Sequence, residues 1–379
     1  MPEKRPTWKF LVLAPLLCVA AGAAAASEPA PPGFSVETLA PGVFALVRTK
    51  APGFFLDSNV LLVVNDDDVL VVDANLTPSS AEASIAALRK LTPKPVRYLV
   101  NTHRHHDHVG GNEVYRREFP GVEIVGSSAM RDDLESAGQA TMDGWTRWAA
   151  EMAATIPKML DSGKGYSGQS LSAEERASLA ADLAAARALV ADAPRMHVVA
   201  PTLTVNDRLT LRRSAGKAPR TIEMVALGKG HTRGDLVVWL PQERIAATGD
   251  LLVAPVPLVG GDQSYVEEWI GTLDRLQALG ATTYLPGHGA VQRGDAQLTL
   301  YRDFLRAALD ETRAAMAKGL SAEEALATDG ASGAIDLASF RDRMAGASPV
   351  LRMLFANWGR VPAVTALYRV RDETREPKP

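Results

Sequence analysis

Between Asn101 and Asn112 the chain reads N-T-H-R-H-H-D-H-V-G-G-N. Four imidazoles and one carboxylate fall within six consecutive positions, His103 to His108. Without thiolates, neutral imidazole and carboxylate are the side chains that bind zinc-like cations best. His103 and His105 are two apart, so an extended chain turns both rings to one side. Asp107 and His108 follow where the chain must turn, so they can face a second ion close by. A solvated histidine tract is the plain alternative, but such tracts rarely interleave an Asp or end in Gly-Gly.

Three more candidates lie downstream. His231 sits in G-K-G-H-T-R-G-D, between apolar runs. Asp250 ends the run that begins at Ile245, where its two oxygens could serve two cations or simply close a turn. His288 follows Tyr284-Leu-Pro and is flanked by glycines. His106 has no place in this pattern, and neither has His197, which is expected to start a strand after Pro194; both are left out of the metal set.

The elements around these residues read as strands ending in loops. Val96 to Val100 is a short buried strand before the histidine loop, and Gly110-Gly111 is a turn or helix entry after it. Val43–Val47, Asn59–Val64 and Val69–Asp73 are strands, the last two joined by an Asn65–Asp68 turn. Asp73, at a strand end, could cap a helix or turn. Pro78 to Leu91 is an amphipathic helix. Val122–Val125, Leu203–Val205, Leu209–Leu211, Ile222–Ala226, Leu236–Leu240 and Ile245–Leu252 complete the strands. Helices are expected near Met142–Leu160, from Ser172 onward with a Ser172/Glu175 capping box, and at Tyr265–Leu279. Leu179, Leu183, Ala186 and Val190 form the apolar stripe of the second. Beyond His288 the chain is helical, at Leu298–Lys318, after the Ser321/Glu324 box, and at Phe340–Met344. Ser348 to Val370 is expected to return to the sheet, with Trp358 and Tyr368 as core or interface aromatics.

The T-H-x-H-x-D-H run resembles the signature of the metallo-β-lactamase superfamily. One further motif, at Asp73, precedes it and three follow in order, G-H-T-x-G-D, Asp250 and His288, so the resemblance covers about Phe34 to Gln292 with all five motifs. It implies an α/β fold, a four-layered αββα sandwich with the metal loops along one edge. The domain would run over residues 33–300, with a helical insertion at 128–195 and a helical C-terminal extension at 301–379. It implies two zinc ions per chain, with iron or manganese as substitutes. His103, His105 and His231 would hold one, and Asp107, His108 and His288 the other. Asp250 would bridge them beside a water or hydroxide, and Asp73 would brace the loop from behind. Asp107 and Asp250 are the candidate catalytic carboxylates.

The implied activity is metal-assisted hydrolysis of an ester, lactone, thioester or amide carbonyl. Many β-lactamases of the superfamily carry Cys or Ser where this chain has Asp250, so a class B β-lactamase is the alternative. A mononuclear iron dioxygenase of the same fold and a non-catalytic metal binder are the others. The insertion is read as a cover for the site or a support for a homodimer, with Ser162–Ser170 as a hinge.

The 379 residues carry a net charge of −3, with 46% hydrophobic and 22% charged residues. That is ordinary for a soluble globular chain and argues against a nucleic-acid partner. A small-molecule substrate is the expected partner. Lys4, Arg5 and Lys9, the apolar run from Phe10 and the alanines to Ala26 read as a secretory signal peptide over residues 1–26. A periplasmic or secreted protein with no stable membrane anchor is expected. The one cysteine, Cys18, lies within that segment, which leaves the mature chain without thiolate ligands.

Overall fold

The computed structural model describes residues 33–49, 52–166, 168–260, 263–327 and 335–374. The 1–26 segment, with Cys18, lies outside the described residues. In chain order the elements begin with β1 (Phe34–Ala40), β2 (Val43–Arg48), β3 (Val60–Val64), β4 (Val69–Val72), α1 (Pro78–Leu91) and β5 (Val96–Val100). There follow α2 (His106–Val109), α3 (Asn112–Glu118), β6 (Glu123–Gly126), α4 (Ser128–Asp133), α5 (Gln139–Ser162) and α6 (Ala173–Asp192). The second half holds β7 (Leu203–Thr204), β8 (Arg208–Ala215), β9 (Ala218–Val225), β10 (Val237–Leu240), β11 (Ile245–Gly249), α7 (Val266–Ala278), β12 (Thr283–Pro286) and β13 (Gln292–Arg293). The chain closes with α8 (Ala296–Ala317), α9 (Ala322–Leu326), α10 (Ala338–Ala345), α11 (Pro349–Leu354) and α12 (Val361–Thr374).

Strands β1 to β7 form one sheet in sequence order, and the second runs β13-β12-β11-β10-β9-β8. The near-continuous apolar strands follow from burial on both faces. In β4, Leu70 and Val72 enter the core between the sheets, with Leu61 and Val63 of β3 and Val238 and Leu240 of β10. Val69 and Val71 point the other way, to Ile85 and Leu88 of α1. On the second sheet, Val237 and Trp239 face outward to Trp269 and Leu273 of α7 and Tyr301 of α8. The alternation of period two thus produces helix, sheet, sheet, helix, an α/β sandwich of four layers.

Two parallel pairs matter for the site. β4 runs parallel to β5 in one sheet, and β11 runs parallel to β12 in the other. Their carboxyl ends carry Asp73, the histidine loop, Asp250 and His288. Loops at such ends are where open α/β sheets gather functional groups.

Both expected capping boxes form, Ser172 with Glu175 and Ser321 with Glu324. Three expectations need correction. The stripe on α6 is rotated: Leu179, Ala186 and Leu189 are buried, whereas Val190 is exposed. Asp182 and Asp192 take buried positions because backbone N–H groups of other segments meet them. His197 is exposed and lies before the strand, which begins only at Leu203. The segment Ser348–Val370 packs on α7 and α8, the helices that cover the second sheet. β1 was missed because it is half polar, as an edge strand is. Among the described residues no helix is long and apolar enough to cross a membrane.

Candidate metal centre

The seven candidate residues meet at one edge of the sandwich, in two groups. His103, His105, His231 and Asp250 form the first, and Asp107, His108, Asp250 and His288 the second. Within each group the donor atoms lie within 4.8 Å of one another. In the first, His105 Nδ1 is 3.0 Å from His103 Nε2 and 2.9 Å from His231 Nε2. Asp250 Oδ2 lies 3.4 Å from His231 Nε2 and 3.8 Å from His103 Nε2. In the second, Asp250 Oδ1 is 3.4 Å from both His108 Nε2 and His288 Nε2. Asp107 Oδ2 is 3.3 Å from His108 Nε2 and 3.0 Å from His288 Nε2. Asp250 therefore offers one oxygen to each group.

Local folding explains the convergence. Residues 101–105 leave β5 without regular structure, and α2 begins at His106. Gly110 and Gly111 let α2 lie against the turn after β4. A Cβ on Gly110 would stand 2.0 Å from the Leu76 carbonyl oxygen, and one on Gly111 2.2 Å from that of Ala74. Asp73 sits at φ +65°, in the left-handed region that costs most side chains energy. That conformation turns its carboxylate under the histidine loop. It accepts the Thr102 N–H at 2.8 Å and the Thr102 hydroxyl at 2.9 Å, and it lies 2.8 Å from His108 Nδ1. Asp73 braces the loop as well as closing the strand. On the other sheet, His231 Nδ1 lies 3.2 Å from the Leu258 carbonyl oxygen, which turns Nε2 toward the first group. Asn59 of the loop before β3 donates to the Pro286 and Gly289 carbonyls and so fixes the His288 turn.

Reading the motifs alone missed Thr102, Asn59 and the Leu258 carbonyl. Thr102 had a signal, since it opens the T-H-x-H run. The other two had none, because each acts across more than 25 residues of sequence. His106 belongs to neither group among the described residues. It packs against Trp145 with ring centroids 4.9 Å apart.

The donor set fits a pair of divalent cations. His108 Nε2, His288 Nε2 and Asp250 Oδ1 are buried and make no hydrogen bond among the described residues. Such buried lone pairs are costly unless a cation or donor meets them. Borderline nitrogen and carboxylate oxygen suit zinc, iron or manganese.

The two groups differ in proton affinity. Burial pushes His103 and His105 well below the ordinary histidine value and His231 down to about 4. Burial also works against charge on His108, but Asp73, Asp107 and Asp250 outweigh it and hold that ring well above the ordinary value. His288 is raised to about 9 by Asp250 and Asp107 against the same burial. Asp107 and Asp250 are held well below the carboxylate range by the neighbouring rings, although burial alone would raise them.

An ion entering the second group must therefore displace protons, and one entering the first need not. Zinc affinity of the second group should rise from pH 6 to about pH 9. Affinity of the first should stay nearly flat over that range. Calorimetric titration in two buffers of different ionisation enthalpy counts the protons released at each step. Equal proton release at both steps would refute the assignment.

A family profile described as the metallo-β-lactamase superfamily matches residues 53–288, more than half of the chain. The linear primary-alkylsulfatase of a Pseudomonas species is 24% identical over 300 residues, 76% of this chain and 51% of that one. The chain spans about half the length of that relative. A hydroxyacylglutathione hydrolase of Gloeobacter violaceus is 33% identical over 91 residues, 24% of this chain and 35% of the relative. A metallo-β-lactamase type 2 of Bacillus cereus is 38% identical over 84 residues, 21% of this chain and 32% of the relative.

Proposed function

The chain belongs to the metallo-β-lactamase superfamily, and from that premise we propose that it is a two-metal hydrolase of an ester, lactone, thioester or amide carbonyl. The observation that carries this reading is Asp250, which presents its two oxygens to two separate donor groups. A sulfate ester is the second substrate class. The alkylsulfatase likeness supports it, because that likeness runs over 76% of this chain.

Two divalent cations, when bound, supply hydroxide at neutral pH and polarise the bond to be broken. The chain's own residues position the reactants. Asp107 and Asp250 both edge a cavity of about 310 Å³. The Asp107 side chain is 15% exposed, against 1% for Asp250. Asp107 is thus the carboxylate that meets an incoming nucleophile. His108 and His288 keep it ionised, so it accepts the hydrogen bond that orients the nucleophile and can pass on its proton.

Chelation should abolish turnover, and two zinc ions per chain should restore it. The panel pairs carboxylate esters, lactones and thioesters with alkyl sulfates and a β-lactam. Undiminished turnover by metal-depleted protein, or a single tightly held iron per chain, would defeat the two-metal reading. Preference for the β-lactam would favour the β-lactamase alternative.

A further inference from the structure

The cavity that opens on His105, Asp107, His231 and Asp250 has a second wall made of carbon. Phe54 and Phe55 come from the loop before β3, Trp145 from α5, and Trp358 from the turn of helix between α11 and α12. None of these side chains belongs to the donor groups. Trp145 remains 38% exposed although it is a large indole beside a buried site.

The loop that carries Phe54 and Phe55 has no regular structure of its own. Asp182 of α6 holds it instead. Asp182 Oδ2 accepts the Phe54 N–H at 3.0 Å, and Oδ1 accepts the Phe55 N–H at 2.9 Å. Asp182 is only 3% exposed, and no ion pair to it is found among the described residues. Burying a carboxylate is costly, and here its compensation is two backbone donors of one loop. The approach is close: a Cβ on Gly53 would stand 2.3 Å from Asp182 Oδ1.

The aromatic contacts run on from this clamp to the metal loop. Phe54 meets Trp358 edge-on with centroids 6.0 Å apart. Phe55 stacks on Trp148 at 4.5 Å, and Trp148 meets Trp145 at 5.0 Å. Trp145 in turn lies against His106, between two residues of the donor groups.

We propose that this wall is a subsite for an alkyl or aryl group of the substrate, and that Asp182 is the positioning residue that shapes it. The inference rests on the hydrolase reading and narrows its substrate to one with a sizeable apolar group next to the scissile bond.

The test uses zinc-loaded full chain and linear 1-alkanols from butanol to decanol, followed by tryptophan fluorescence and calorimetry. Affinity should rise about fourfold per methylene until the cavity is filled, as burial of a methylene implies. Asp182→Ala should flatten that slope, with zinc content and butanol affinity unchanged. Asp182→Asn keeps one acceptor oxygen and should give an intermediate slope. Trp145→Ala, at a partly exposed position, tests the wall without touching the clamp and should also lower the slope. Butanol binding as tightly as decanol overturns the subsite. A wild-type slope in folded, zinc-loaded Asp182→Ala overturns the role of Asp182. These readouts need no turnover. If alkanols bind with the expected slope but no ester, lactone, thioester, amide or sulfate is cleaved, the hydrolase reading fails and the wall stands as a binding site for apolar groups. If esters are cleaved without regard to chain length, the reverse holds.

Discussion

Replacing Asp250 by Asn should lower turnover at least a hundredfold and leave fewer than two metal ions per chain. The variant keeps the shape but turns one carboxylate oxygen into an N–H donor, which cannot meet a cation. Asp250 Oδ1 faces His108 and His288, and Oδ2 faces His103 and His231. Whichever way the amide is turned, one group loses its oxygen and both lose the negative charge between them. The side chain has little room to move aside. A Cβ on Gly287 would lie 1.9 Å from Asp250 Oδ1, so the carboxylate is seated directly on that glycine's backbone. A hundredfold loss corresponds to about 3 kcal/mol of barrier. Elemental analysis and steady-state kinetics on the same preparation check both halves. Full activity with two ions would reduce Asp250 to a turn residue. Asp250→Ser separates the substrate readings, because full activity in that variant with efficient β-lactam cleavage by the parent would favour a β-lactamase.

Asp73→Asn should weaken zinc binding by the second group about 10- to 100-fold and leave the first nearly untouched, the usual size of such outer contacts. Asn is the right replacement, because it tolerates the φ of +65° better than Ala does. The backbone then stays where it is, and only the charge behind His108 changes. With Asp73 ionised, the imidazole Nδ1–H has a strong acceptor 2.8 Å away, which fixes the ring and makes Nε2 more basic. An amide does this less well. Thr102 feels the change too, since its N–H and hydroxyl share the same carboxylate. Stepwise zinc titration resolves the two sites. Equal loss at both would mean that Asp73 holds the whole loop rather than His108 in particular.

The candidate metal centre was legible in the sequence because its donors are His and Asp in short, glycine-bounded runs at strand ends. Those residue types have few other reasons to cluster so. The layers were legible because strands buried on both faces read as unbroken apolar runs, as Val60–Val64 and Val69–Val72 do. The substrate wall was not. Phe54, Trp145 and Trp358 stand about a hundred or more residues from one another, and each alone reads as packing. Trp358 was expected in the core or an interface; it does pack against the core, and its place on the cavity wall was the part that could not be read. Asp182 was invisible for a related reason. An acidic residue in an alanine-rich helix reads as solvent-facing, and only the folded chain brings the Phe54 and Phe55 N–H groups to it.

Each donor group draws on both sheets. His103, His105, Asp107 and His108 follow β5 of one sheet, whereas Asp250 and His288 follow β11 and β12 of the other, and His231 precedes β10. Neither half alone presents a complete set of donors. A cation bound in either group therefore fastens one sheet to the other, and unfolding the sandwich must release it. By mass action such an ion adds about 2.7 kcal/mol of stability when its free concentration is a hundred times its dissociation constant. The catalytic ions would then also act as rivets, and the chain's lifetime in a chelating environment would be limited by unfolding as well as by lost chemistry.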